Sequence, residues 1–245
     1  MPVSTIVILC AAAAVAGLVR GFAGFGAAMV FMPIASYFVD PRLAAIGLWL
    51  MDSLPQIVIL IPALRSIVWK TVIPAAVGFA LTVNFGAQFL AQGDSLVLRW
   101  ILSVTIIVVV AILWSGLRYH GKRPALLSAF VGSVSGFLSG AMQLAGPPVL
   151  VYWLSGSDNA RTIRANLIAF FSVGTVLTGI GYWINGLFVP EAFGPALAAT
   201  PLYIAGMLIG QRYFSKASEA LYRRVAFVLI LVVAAATLPI GSLFS

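Results

Sequence analysis

Ionisable side chains are scarce in this chain: Asp and Glu together number 6, His 1 and Cys 1 in 245 residues, and charged residues make up only 8%. The lone cysteine, Cys10, excludes an internal disulfide and a multi-cysteine metal site. The lone histidine, His120, falls in the basic loop Arg118 to Arg123 and reads as a solvated loop residue. One acid, Asp52, lies well inside an apolar run. A membrane enzyme acting on a lipid or quinone needs a nucleophile and base, a metal cluster or a haem pair, and this inventory supplies none of them. No metal site and no cofactor is therefore expected.

What the chain has in abundance is apolar surface. Hydrophobic residues make up 62% and the mean hydropathy is +1.11, too much to bury in one water-soluble core, so the protein is expected to be a multi-pass membrane protein. The net charge of +8 does not point to nucleic acid, because the 14 Lys and Arg residues sit singly or in small groups at the ends of apolar runs. That is a topology signal. The first run, Val3 to Val19, has no basic residue before it and no small-residue cleavage site after it, so it reads as a retained segment rather than a signal peptide.

With charges, Gly and Pro as punctuation, apolar segments fall near 3–19, 24–39, 43–62, 71–92, 97–116, 125–139, 142–155, 162–184, 193–212 and 222–242. Crossing the hydrocarbon takes about 20 helical residues. The pairs 3–39 and 125–155 are therefore each expected to be two half-helices that dip in and return.

The chain also resembles itself. At an offset of 115, Gly17, Gly21, Phe22, Pro33 and Tyr37 match Gly132, Gly136, Phe137, Pro148 and Tyr152; at an offset of 124, Gly86, Arg99, Val108 and Ala111 match Gly210, Arg223, Val232 and Ala235. Two repeats, 1–120 and 121–245, follow, each a broken half-helix pair and three spans. The extra residues of the second copy fit the stretch Asn185 to Pro195. Reading each pair as returning makes the copies inverted, and collects 11 basic residues on one face (Arg65, Lys70, Arg118, Lys122, Arg123, Arg161, Arg164, Arg212, Lys216, Arg223 and Arg224) against Arg42 and Arg99 on the other. A single long crossing gives 5 against 8. The positive-inside rule favours the inverted arrangement, with both termini on the non-cytoplasmic side. Two short full crossings give the same parity as a returning pair.

Paired interruptions in two halves point to a transporter's binding site. In the inverted arrangement the turns Gly21 to Gly26 and Ser139 to Gly146 approach one another near the midplane, where helices 24–39 and 142–155 begin. A helix N-terminus carries unpaired N–H groups and about half a positive charge, which suits an anion. The expected substrate contacts are Arg20, Gly21, Phe22, Gly24, Gly26, Ser139, Gly140, Gln143, Gly146 and Pro147. The blander reading is that the glycines only allow tight helix packing and that Arg20 snorkels to the interface. Asp52 is a coupling candidate, as a proton carrier or a partner for Arg20, and equally a structural pair. Asn84 and Gln88 either line a pathway or form interhelical hydrogen bonds. Tyr37 and Tyr152 read as interface anchors, and most of the tryptophans as an aromatic belt.

Gly21-Phe22-Ala23-Gly24-Phe25-Gly26 with Pro33, repeated as Gly136-Phe137-Leu138-Ser139-Gly140 through Gly146-Pro147-Pro148, resembles the TauE/SafE sulfite exporter family of membrane permeases, over essentially the whole chain. The resemblance implies transport of sulfur-containing anions, such as sulfite or organosulfonates, across the cytoplasmic (inner) membrane of a bacterium. The residues by themselves reach only "small anion". Import against export, the coupling ion (proton or sodium) and the oligomeric state stay open. The rival readings are a cation or metal-ion carrier using Asp52 and broken-helix carbonyls, and a non-transporting membrane assembly partner, which needs no paired broken helices.

Overall fold

An apolar chain in hydrocarbon must satisfy its backbone N–H and C=O groups internally, and every regular element among the described residues is a helix. The computed structural model describes residues 1–115, 123–154 and 160–214. The expected span 222–242, with Arg118, His120, Lys122, Lys216, Arg223 and Arg224, lies outside the described residues. In chain order the helices are α1 (Val3–Ala23), α2 (Ala27–Phe38), α3 (Pro41–Ala63), a 3-10 turn (Leu64–Ser66), α4 (Trp69–Gln92), α5 (Ser95–Trp114), α6 (Ala125–Met142), α7 (Gly146–Leu154), α8 (Ala160–Ile184) and α9 (Pro190–Phe214). Among the described residues six, α1, α4, α5, α6, α8 and α9, are long and apolar enough to cross a membrane.

The first members of the two expected half-helix pairs are longer than the sequence punctuation suggests. α1 runs 21 residues and α6 18, past Gly17, Gly21, Gly132, Gly136 and Gly140; the short members are α2, with 12 residues, and α7, with 9. The glycines do not break α1 and α6 because each is filled from outside by a neighbouring backbone. A Cβ at Gly17 would lie 2.1 Å from the Tyr203 carbonyl oxygen, at Gly21 1.9 Å from that of Met207, and at Gly132 1.9 Å from that of Ala75. Without a hydrophobic force between helices in lipid, this closeness is what holds them together.

The described chain forms two compact units, Met1–Met51 with Gly93–Ser115 and Val189 onward, and Asp52–Gln92 with Gly116–Phe188. Each is centred on a glycine-mediated helix pair: α1 with α9 in the first, α4 with α6 in the second. Contacts ascend together along both members, Gly17 to Tyr203 and then Gly21 to Met207, so the helices of each pair run parallel. The contact pattern recurs. Gly206 and Gly210 meet the carbonyls of Ala14 and Leu18; in the other unit Gly78 meets that of Ala129, and the Thr82 hydroxyl donates to that of Ser133 at 2.6 Å. Ala14 and Ala129 are 115 positions apart, whereas Gly78 and Gly206 are 128 apart. The sequence match of Gly86 with Gly210 was therefore one helical turn out of contact register. Glycines recurring every four residues keep the same face in either alignment.

One set of large side chains of the second unit points away from these seams, with Leu81 and Phe85 on α4 67% and 62% exposed and Leu126 on α6 82% exposed. This is the lipid-facing stripe of a membrane helix. Tyr37 is exposed as an interface anchor would be, but its sequence match Tyr152 is buried and shares a hydrogen bond with Ser128. Trp153 is also buried, donating to Thr71 Oγ1 at 3.3 Å, and so stands apart from any aromatic belt. Asn84 accepts from Asn185 Nδ2 at 2.9 Å, the interhelical option.

In the first unit a polar cluster ties the α2–α3 loop to the α4–α5 loop. Arg42 Nη1 lies 3.1 Å from Asp40 Oδ2, Arg42 Nη2 donates to the Gly93 carbonyl, and Ser95 Oγ donates to Asp40. Burial pushes the Asp40 carboxyl up, but the Ser95 hydroxyl, the Arg42 backbone N–H and the Arg42 charge outweigh it and hold the group below its ordinary value of 3.8.

Replacing Gly21 or Gly132 with alanine forces the paired backbones apart and is expected to cost about 1–3 kcal/mol. Gly194 lies in α9 with nothing near its missing Cβ, so Gly194→Ala is expected to stabilise by about 0.5–1 kcal/mol. Thermal unfolding in detergent, followed by circular dichroism, measures both. For Asp40, a depressed carboxyl contributes stability that is present above its unfolded value and lost as pH falls through the folded one. Such a half-exposed pair is worth about 0.2–1 kcal/mol. Asp40→Asn should show that loss already at neutral pH, and the two proteins should converge in unfolding temperature as the pH falls below 3.8.

Candidate functional site

Both short helices begin at a turn that closes a long one. In the first unit α1 ends at Ala23, and Gly24, at φ 75°, donates its N–H to the Arg20 carbonyl at 2.8 Å. Gly26, at φ 90°, then starts α2. Two left-handed residues within three positions turn the chain sharply, a backbone path suited to glycine. No side chain caps the start of α2, and its first turn has no acid. Its carboxyl end has a cation nearby: Arg99 Nη2 lies 3.4 Å from the carbonyl of Val39, the residue that closes α2. The dipole of α2 thus has a countercharge at its negative end, while its positive end faces the turn.

Arg20 is buried in the last turn of α1, only 8% exposed, and its Nη1 donates to the Gly24 carbonyl. A buried guanidinium beside an uncapped helix start adds a full positive charge to a partial one. Gly21 lies inside α1, filled by α9, and Phe22 is buried next to it.

In the second unit α6 closes on Gln143, whose φ of 61° makes it the one non-glycine residue with positive φ among the described residues. Its N–H bonds the Ser139 carbonyl at 2.9 Å, the αL way of finishing a helix, and Leu144 N–H reaches the Leu138 carbonyl at 3.1 Å. α7 begins at Gly146, followed by Pro147 and Pro148. Proline suits the first helical turn, where its fixed φ is helical and its missing N–H breaks no internal bond. At the other end of α7, Arg123 Nη2 donates to the carbonyls of Tyr152 and Trp153 at 3.2 and 2.9 Å, and its guanidinium stacks 5.2 Å from the Tyr152 ring centre. Each short helix therefore has an arginine at its carboxyl end, supplied by unrelated positions.

The second turn is tied sideways to α8. Ser139 Oγ and Thr178 Oγ1 are 3.0 Å apart, Gln143 Nε2 donates to the Tyr182 hydroxyl at 3.0 Å, and that hydroxyl reaches the Ser139 carbonyl at 3.4 Å. Gly140 faces the Val83 carbonyl of α4. Of the residues singled out from sequence, Gly24, Gly26 and Arg20 share the first turn, and Ser139, Gln143, Gly146 and Pro147 the second. Gly21 and Gly140 sit at helix seams. Asp52 is half-buried at mid-length in α3, one turn before Pro55. Sequence reasoning passed over Thr178 and Tyr182. Their signal was weak, two hydroxyls four residues apart in a helix that also carries Ser172 and Thr175. The roles of Arg99 and Arg123 as helix-end cations were hidden because the positive-inside rule counts charges without asking what each one touches.

The sequence pattern described as Sulfite exporter TauE/SafE matches residues 9–237 of the chain. A protein of Cupriavidus necator described as "Probable sulfite/organosulfonate exporter TauE" is 29% identical over 231 residues, covering 88% of this chain and 87% of that relative. No solved structure matches the chain. Long apolar helices and a family match that leaves only the chain's extremities uncovered lead to one conclusion: this multi-pass membrane protein belongs to the sulfite exporter TauE/SafE family.

Proposed function

We propose that the protein is a secondary transporter of small sulfur-containing anions, such as sulfite or organosulfonates, in the cytoplasmic membrane of a bacterium, working by alternating access. The observation that carries this reading is the pair of short helices α2 and α7, each starting at a left-handed turn and each with an arginine at its carbonyl end. A helix so arranged presents its positive end to the turn, and an anion is the ligand that such an end favours. Arg20 supplies the full charge at the first turn. Ser139 and Gln143 supply neutral donors at the second, and Gly24, Gly26, Gly146 and Pro147 allow close approach of the backbone. The name of the Cupriavidus relative supports sulfur oxyanions as the class and export as the direction. For a monovalent anion leaving a negative-inside cell, the membrane potential contributes about 2.3 kcal/mol per 100 mV. The proposal keeps the inverted repeats 1–120 and 121–245, with midplane binding and both termini on the non-cytoplasmic side. Asp52, an acid within an apolar helix, is the residue proposed to carry a coupled proton.

Currents from the purified protein in proteoliposomes on a supported membrane, after jumps of sulfite, a C2 sulfonate, chloride or sodium, test this reading. A sulfite or sulfonate response is expected. Arg20→Ala should raise the apparent KM at least about tenfold, the effect of losing a charge-assisted contact, while Arg20→Lys retains part of the affinity. A sodium response with no anion response assigns the site to cations and ends the proposal. Asp52→Asn should abolish the effect of an imposed pH gradient on the anion current; a gradient effect that survives the substitution removes Asp52 from coupling.

A further inference from the structure

The two turns solve the same backbone problem with different residues. Where the first closes its long helix on Gly24, the second closes on Gln143 in the same left-handed conformation. Glycine occupies that conformation freely and glutamine does not. A strained residue that persists at such a place points to a task for its side chain.

The short helices also differ in what their backbones offer. α2 starts with Ala27 and Ala28, each with an N–H, while Pro147 and Pro148 take the second and third positions of α7 and have none. An anion at the start of α7 thus meets fewer backbone donors than one at the start of α2. The Gln143 amide has two N–H bonds, and one of them is spent on the Tyr182 hydroxyl. That hydroxyl is completely buried and passes its own proton toward the Ser139 carbonyl, so the chain of donors has one direction, from amide to hydroxyl to helix carbonyl. Because the hydroxyl accepts from Gln143, it fixes the nitrogen side of the amide toward α8 and sets where the second N–H points. Thr178, one turn earlier on α8, shares a hydrogen bond with Ser139 Oγ at 3.0 Å.

We propose that Tyr182 is a positioning residue for the anion site: through Gln143 it aims an amide N–H at the start of α7, replacing the donors that Pro147 and Pro148 lack. The ligand class is a sulfur oxyanion, sulfite or a sulfonate, whose several oxygens accept from neutral donors. This inference rests on the function proposed above.

The test is a double-mutant cycle on the full-length protein in proteoliposomes, read as apparent KM and maximal rate for sulfite and for a C2 sulfonate, with the unfolding temperature of each variant. Gln143→Gly relieves the left-handed strain and removes the donor. It is expected to raise KM about tenfold while the unfolding temperature stays within about 2 °C of the parent, roughly the shift that 1 kcal/mol gives in a chain of this size. Tyr182→Phe alone should raise KM several-fold with little change in maximal rate, and should add less than about twofold in the Gln143→Gly background. Gln143→Met, which keeps a side chain of similar length, stays neutral and removes both N–H donors, supplies the same arm should the glycine variant fail to accumulate. Equal KM effects of Tyr182→Phe in both backgrounds overturn the inference, as does an unchanged KM in Gln143→Gly and Gln143→Met. A parent protein that moves neither sulfite nor the sulfonate overturns the underlying function instead.

Discussion

The approach of one helix backbone onto another is the constraint on which the rest of this structure depends. Lipid tails are as apolar as leucine, so helices gain nothing by hiding leucines from them; they gain by dispersion and by backbone proximity. The chain meets that condition with glycines on both members of each central pair, Gly17 and Gly21 against Gly206 and Gly210 in one unit, and Gly132, Gly136 and Gly140 against Gly78 and Gly86 in the other. The seams then decide everything laid on them: which face of α4 and α6 meets lipid, where the last turn of α1 delivers Arg20, and where the last turn of α6 delivers Gln143.

The glycine seams also explain what could and could not be read from the residues. The presence of helices, their apolar character and the two turns were legible, because hydropathy and the Gly and Pro clusters report on local backbone. The lengths of α1 and α6 were not. Gly17 and Gly21 look like interruptions when a helix is considered alone, and become packing surfaces only once α9 is beside them. Contact register was lost for a related reason, since a four-residue glycine period is nearly one helical turn and hides a slip of that size. Tyr37 and Tyr152 make the same point at a single position: the motif is shared, yet Ser128 is present to receive only the second, and a residue 24 positions away is invisible to any local pattern.

At the candidate site the same division holds. Arg20, Gly24, Gly26, Ser139 and Gln143 were found because they sit in or beside the turns. Tyr182 was not, because its meaning comes from a hydrogen bond to a residue 39 positions earlier. Arg99 and Arg123 were counted as topology signals and are also helix-end cations. For Arg123 one charge serves both purposes, whereas Arg99, on the face expected to carry few basic residues, is accounted for by the helix end it meets.

The two compact units cut across the order of the chain, and this has a consequence for how the protein is made. Every segment of the unit built on α4 and α6 has left the ribosome by Phe188, whereas α1 cannot meet α9 until residues near Gly210 have been synthesised. At about 5–20 residues per second, the glycine face of α1 waits on the order of tens of seconds. During that interval it is an unpaired adhesive surface in a crowded bilayer. The insertion machinery, or a neighbouring lipid or helix, must cover it, so substitutions along the glycine face of α1 act during synthesis as well as on the finished fold.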